Sequence, residues 1–555
     1  MQLLTALTVL LRIWNASAAT TPRVSGSSFA GSTSTAVFPP PGADVTQYSS
    51  LFPGTSEVGF PGPTPTGDQP EVVATAAAGE KEDIYPLTPP PSLGRTPRSS
   101  FSPIRSWGNL SPFFSVDSAE NGLPGASPQV PDGCTLSQVH LLHRHGARYP
   151  TSGGHGAQFA STLQQVASGQ GFSVSGPLTF LSDWTYKLGS ELLLPFGRQQ
   201  LFENGVAFRL RYGKLLDAFE RIPVVRTTSQ ARMVDTAVSF SAGFFGVQEY
   251  QNQSHLSIAV ETPGLNTTLA SYFACPNFVK VAGNGRGATS QWAPAYLSKT
   301  VGRLQRYIKG LELNATLVYA MQELCAYETV ALGYSQFCGL FTKSEWDGFE
   351  YAGDLDFWYL GGPGNPVASA LGTGYIQELV ARLTQTPLTS FNTSTNSTLN
   401  GNNVTFPLDQ PMQVYLDFTH DIVISSVAVA MNFTSFAEQG PLPVTHVPRH
   451  VTYKAQNIVP FAANLVGQVL ACPASHNDPT PSSYIRWLLN DGVVPLTGIK
   501  QCAGYKNKDG LCPLSSFVAG MQEILAESDW NYDCYGNWTV PPVPNDIVNG
   551  RPPRA

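Results

Sequence analysis

The stretch Leu136-Ser137-Gln138-Val139-His140-Leu141-Leu142-His143-Arg144-His145-Gly146-Ala147-Arg148-Tyr149-Pro150 decides how the rest of the chain is read. Leu136–Leu142 reads as a strand. Gly146 and Pro150 then break it, so His145 falls in a loop at the strand's C-terminal end, where open α/β sheets bind their ligands. Histidine is a competent nucleophile, and arginine presents a planar fork of N–H donors suited to phosphate. Arg144 and Arg148, one residue before His145 and three after it, can reach the same oxyanion. The expectation is phosphate capture by the two arginines and attack by His145.

Two further junctions have the same grammar. From Gly197 to Phe219, apolar residues at Leu201, Phe208, Tyr212 and Leu215 fall at helical steps. The short run Ile222-Pro223-Val224-Val225 ends at Arg226, and Thr228 or Ser229 can cap a helix carrying Met233, Ala237, Phe240 and Phe244. Arg226 is thereby placed at a strand end, beside a helix N-terminus that itself favours anions. Further on, Met412, Val414, Leu416 and Phe418 alternate as a strand, and Asp421 can cap an apolar helix over Ile422–Met431. His420 and Asp421 then sit at a third strand-to-helix junction. Three such junctions converging on one cleft point to an α/β fold.

Elsewhere residues from about Tyr296 to Leu332 read as largely helical, as do Gly374–Leu383, with Gly361–Pro366 as loop between them. Thr384–Asn403, rich in Thr, Asn and Ser, reads as an exposed loop. Asn490-Asp491-Gly492 predicts a hairpin between Tyr484–Leu489 and Val493–Leu496. Leu514–Ala526 reads as a last helix.

Composition narrows the function. Only 13% of the 555 residues are charged and the formal net charge is −7, which argues against a nucleic-acid partner. Positive charge must instead be focused in a cleft. Residues 1–19 carry a short apolar run followed by Ala16-Ser17-Ala18 and resemble a cleaved leader. No segment reads as a membrane span. The eight cysteines include no C-x-x-C pair, so zinc ribbons and redox sites are not expected. Sequons at Asn109, Asn252, Asn266, Asn314, Asn392, Asn396, Asn403, Asn432 and Asn537 add to the reading of a secreted glycoprotein, with the cell wall as one further destination. Residues 20–105, rich in Ser, Thr, Pro and Gly, read as a disordered stalk.

His140, His143 and His145 could be read as a metal cluster, but two fixed arginine charges beside them favour an anion over a dication. No metal or cofactor is expected.

Here the residues reach a family. Arg144-His145-Gly146-Ala147-Arg148-Tyr149-Pro150 resembles the R-H-G-x-R-x-P signature of histidine acid phosphatases, and His420-Asp421 resembles their distal H-D pair. The chain looks most like the fungal phytase branch from about Trp107 to Trp538. Leu194-Pro195-Phe196-Gly197, Val225-Arg226-Thr227, Gly364-Asn365-Pro366 and Leu379-Val380-Ala381-Arg382-Leu383 carry the likeness further.

That resemblance implies a phosphoglycerate mutase-like α/β fold over 106–545, with a central, mostly parallel sheet. Mostly helical insertions would lie roughly within 152–195 and 250–375, followed by a tail at 546–555. It implies His145 as nucleophile and Asp421 as proton donor, with Arg144, Arg148, Arg226 and His420 binding the phosphoryl oxygens. It also implies the disulfides Cys134–Cys472, Cys275–Cys534, Cys325–Cys338 and Cys502–Cys512. The implied enzyme is a monomeric phosphoric monoester hydrolase acting on small phosphate esters. A true phytase is the nearest alternative, and an inactive anion-binding wall glycoprotein is the alternative from another class.

Three departures bear on the substrate. Fungal phytases typically carry lysines after the signature, where this chain has Ser152-Gly153-Gly154-His155-Gly156-Ala157-Gln158. Their Leu-Lys-Lys-Tyr-Tyr is here Leu355-Asp356-Phe357-Trp358-Tyr359, and Ile422 stands where an asparagine usually follows the H-D pair. Each removes a polar or cationic contact from the substrate rim.

Overall fold

A computed structural model describes residues 101–218, 222–408, 413–473, 482–505 and 507–554. The leader and most of the stalk lie outside the described residues. The frame is a mixed sheet of β1 (Thr135–Arg144), β2 (Val224–Thr228), β3 (His255–Ala259), β4 (Val414–Thr419), β5 (Asn464–Cys472), β6 (Ser482–Leu489), β7 (Gly492–Val494) and β8 (Cys512–Pro513). Its order is β8-β6-β5-β1-β4-β2-β3, with β7 on β6. The strands β1, β4, β2 and β3 run parallel, while β5 to β8 extend the sheet antiparallel. The expected hairpin is β6–β7, with Asn490 and Asp491 both at positive φ, as a tight primed turn requires.

Helices cover both faces. On one side lie α2 (Pro195–Tyr212) and α3 (Ala231–Phe245); on the other α7 (Ala368–Thr384), α8 (Asp421–Ala430) and α9 (Leu514–Glu527). β4 shows why both faces are covered: all six of its residues are buried, as parallel strands in α/β proteins are. Burial of each of Val414, Leu416 and Phe418 stabilises by roughly 1.5–3 kcal/mol. The helices α1 (His155–Ser168), α4 (Asn284–Gln305), α5 (Ala315–Leu332) and α6 (Lys343–Leu360) pack together beside the sheet. Cys134–Cys472, Cys275–Cys534, Cys325–Cys338 and Cys502–Cys512 are joined as disulfides, the first tying the start of β1 to the end of β5.

The stretch expected to be largely helical, Tyr296–Leu332, is so, as the end of α4 and the whole of α5, with Gly310 turning at φ +86 between them and Asn314 capping α5. Three local expectations are corrected. Thr384–Asn403 is not simply exposed. Thr393, Ser394 and Thr395 are buried, with Thr393 bonded to Gln377 of α7. Neither Thr228 nor Ser229 caps α3. β2 runs on through Thr228, Gln230 takes the cap position, and the Ser229 hydroxyl accepts instead from the Glu261 backbone N–H. The cap residue of α8 is His420, with Asp421 its first helical residue.

Candidate active site

The register of the parallel strands sets the site. Arg144 pairs with Thr419, so β1 and β4 end level and deliver His145 and His420 side by side, ring centroids 5.8 Å apart. The loop after β1 is clamped to the start of α2. Ala147 accepts from Leu194 N at 2.9 Å, its own N–H donates to Gln200 at 2.9 Å, and Tyr149 N donates to Leu192 O at 3.0 Å. A Cβ on Gly146 would stand 2.4 Å from the Gly197 carbonyl, and one on Gly197 2.1 Å from that of Ala147. Only two glycines allow so close an approach.

His145 is presented as a nucleophile. Its Nδ1 lies 2.9 Å from the carbonyl oxygen of Gly146. A carbonyl can only accept, so Nδ1 carries the proton and Nε2 keeps its lone pair. Burial and then the charges of Arg144, Arg232, Arg148 and His420 hold its pKa well below the ordinary value. The ring stays neutral across the working range, as a nucleophile must.

Arg144 is fully buried. Its Nη1 donates to Asn109 O at 2.5 Å and Val459 O at 2.6 Å, and its Nη2 to Asp421 Oδ2 at 2.6 Å. Its guanidinium lies over the Phe461 ring at 4.7 Å. Burial lowers its pKa to about 10 against the pull of Asp421, so it remains a cation in acid.

The structure places the expected third arginine inside a strand and not at its end. Arg226 lies within β2, opposite Asp417 in register, a level below the cleft. Four of its five N–H donors go to carboxylates: Nε and Nη2 to Asp417 at 2.6 and 2.9 Å, Nη1 and Nη2 to Glu378 at 2.9 and 2.8 Å. Arg232 lies in the first turn of α3, on the side of the cleft. Its charge acts directly on His145 and Arg148, and it pairs with Glu191 at 2.9 Å. The Nε–H groups of Arg144, Arg148 and Arg232 are buried and meet no acceptor among the described residues. A sequence signal for Arg232 existed: an arginine in the first turn of the helix that follows a parallel strand, where backbone N–H groups already favour an anion.

His420 Nε2 lies 2.8 Å from Glu261 Oε1, a carboxylate at the end of β3 that the sequence reading missed. Asp421 Oδ1 accepts from Ile422 N at 2.9 Å while Oδ2 faces Arg144. Burial would raise the Asp421 pKa, but Arg144, Arg148, His420 and that N–H hold it below the ordinary value. A phosphoryl group bound to the arginines neutralises the same charges and returns the carboxyl toward its protonated form. His140 and His143 do not join the cleft. His140 stacks on Tyr415 at 4.6 Å and His143 packs on Phe240 and Phe418.

The rim is built from the helical layer. His155 Nδ1 pairs with Glu323 at 3.0 Å. Burial, with the repulsion of Glu323 and Asp421 working against the pull of Arg286 and His155, raises the Asp356 pKa to about 6.

The chain matches the sequence profile of the histidine phosphatase superfamily (branch 2) over residues 135–490. It belongs to that family. Phytase A of Aspergillus oryzae is 32% identical over 445 residues, covering 77% of this chain and 90% of the relative. Phytase A of Neurospora crassa is 29% identical over 502 residues, covering 80% and 96%. Among solved structures, the phytase from D. castellii superposes with a TM-score of 0.62 at 26% identity, covering 80% of this chain and 91% of that one. The chain is a phytase-like histidine acid phosphatase, a phosphoric monoester hydrolase. No helix among the described residues is long and apolar enough to cross a membrane.

Proposed function

We propose that this phosphatase works through a phosphohistidine, with Arg144, Arg148, Arg232 and His420 holding the phosphoryl oxygens. The observation that carries the reading is the His145 ring. Its proton is tied to Gly146 O, and its free Nε2 sits among three arginines with unused Nε–H donors. Nε2 attacks phosphorus and the ester P–O bond breaks. Asp421 gives its proton to the departing alkoxide oxygen. Water then attacks the phosphohistidine, losing a proton to the Asp421 carboxylate, and orthophosphate leaves. The arginines neutralise the charge that spreads over the equatorial oxygens.

The rim favours monoesters with uncharged leaving groups. The reading is supported by the sequence after the signature and at Leu355–Tyr359, where lysines expected of a polyphosphate site are replaced by Ser152–Gln158 and Asp356. The second reading, a phytase, is supported by the relatives that carry that name. Rates on phytate and on a simple alkyl monoester from one preparation separate the two. The monoester reading expects the higher kcat/KM on the monoester; a strong phytate preference overturns it. His145→Ala is expected to abolish turnover, by at least about 10⁴-fold for loss of a nucleophile. Survival of activity would end the phosphohistidine mechanism. We also place the enzyme in an oxidising, extracellular setting, supported by four disulfides that use all eight cysteines.

A further inference from the structure

We propose that Glu261 is a positioning residue for phosphoryl transfer: its carboxylate, 2.8 Å from His420 Nε2, orients that ring so that its other nitrogen faces the phosphoryl oxygens. The proposal rests on His420 contacting the phosphoryl group.

Glu261 is 6% exposed, and a carboxylate so buried must be paired to stay charged. It is held from three directions. Its backbone N–H donates to Ser229 Oγ at 3.0 Å, its Oε2 accepts from Gln230 Nε2 at 2.6 Å, and Tyr272 Oη stands at 3.5 Å. Burial alone would raise its pKa, but His420 and Arg232 keep it below the ordinary value. One carboxylate therefore joins two parts of the site that are far apart in sequence. It touches the H-D junction through His420 and the turn leading to Arg232 through Gln230.

The His420 ring is framed by His145 at 5.8 Å and Tyr272 at 5.9 Å. With Nε2–H donated to Glu261, only Nδ1 remains for a ligand. A histidine backed by a carboxylate has its ring angle and tautomer fixed. Without the negative charge behind it, the same ring meets the phosphoryl oxygens as a weaker donor.

The test is a double-mutant cycle on turnover of nitrophenyl phosphate. Glu261→Gln preserves shape and removes the charge. The expected loss in kcat is roughly 10–100-fold, the range for groups that orient a working histidine, with the thermal midpoint within a few degrees of wild type. In a His420→Ala background the same substitution should cost less than about 2-fold, because Glu261 acts through His420. Glu261→Asp, which keeps the charge, should recover part of the kcat.

Wild-type kcat in Glu261→Gln overturns the proposal. So does a loss that multiplies with that of His420→Ala. Should Glu261→Gln fail to fold, Gln230→Ala frees one Glu261 oxygen without altering charge, and its loss in kcat must likewise vanish in the His420→Ala background. His145→Ala is the separate control: activity surviving there would overturn the phosphohistidine reading and not this one.

Discussion

Two arginine–carboxylate clusters lie against the same parallel strands, and we assign only one of them to the site. In the core cluster, Arg226 and Arg382 face Asp417 and Glu378. Arg226 bonds both carboxylates and Arg382 bonds Asp417 at 2.6 and 3.2 Å. Glu378 also accepts from Thr268 at 2.9 Å and Asn400 at 2.6 Å, and Phe406 covers both guanidiniums. Two positive charges meet two negative ones. In the cleft, Arg144 pairs with Asp421, Arg232 pairs with Glu191, and Arg148 donates to the Tyr149 carbonyl. An unbonded Nε–H does not separate the clusters, since Arg382 has one as do Arg144, Arg148 and Arg232. The number of carboxylate bonds does: Arg226 makes four, whereas Arg144 and Arg232 make one each.

The sharpest way to break this distinction is to remove one arginine from each cluster. Arg226→Met leaves Asp417 and Glu378 short of a buried partner, which costs about 3–5 kcal/mol. A large drop in thermal midpoint is expected, with turnover per folded molecule close to wild type. A stable but inactive Arg226→Met enzyme would return Arg226 to the site. Arg232→Met should do the opposite: kcat/KM falls roughly 10²–10³-fold, as for loss of a transition-state donor, while the midpoint barely moves.

Asp417 and Asp421 repeat the contrast four residues apart. Asp417 is fully buried between two arginines, whereas the Asp421 side chain is 13% exposed and must exchange a proton. Asp421→Asn should lower turnover of an alkyl phosphate on the order of 10²-fold, and that of nitrophenyl phosphate much less, because nitrophenolate leaves without a proton. Equal losses on both esters would remove Asp421 as the acid.

Legibility in the sequence followed the same division. His145, Arg144 and Arg148 come from one continuous stretch whose strand and breaker residues fix their place, and His420-Asp421 from another. The position of Arg226 depended on where β2 stops. Extending that strand by two residues to Thr228 moves the arginine from the strand's end to its interior, opposite Asp417. Its partner Glu378 is 152 residues away on α7, and no local pattern announces such a pair. Glu261 was unreadable for the same reason, being 159 residues from His420. Periodicity reveals elements and their ends. It does not reveal which buried charge a distant helix or strand will supply.

The smallest effect is the one that most directly tests the core cluster, and it lies in pH. The Asp417 pKa is held far below the ordinary value: burial raises it, and Arg226 and Arg382 overcome that. A carboxyl depressed in the folded state contributes stability that is present above its unfolded pKa of about 4 and is lost as pH falls below that. Without Arg226, the folded Asp417 binds its proton at higher pH, so acid relieves the unpaired charge in the variant while it erodes the wild-type advantage. The gap in thermal midpoint between wild type and Arg226→Met should be widest near pH 6 and narrow by a few degrees toward pH 3. For Arg232→Met a smaller narrowing is expected, because its bonded partner Glu191 is 38% exposed and solvated by water, and buried Glu261 keeps its bond to His420. A gap for Arg226→Met that stays constant across this range would mean that Arg226 stabilises the fold by packing alone, and the charge argument that separates the two clusters would fail.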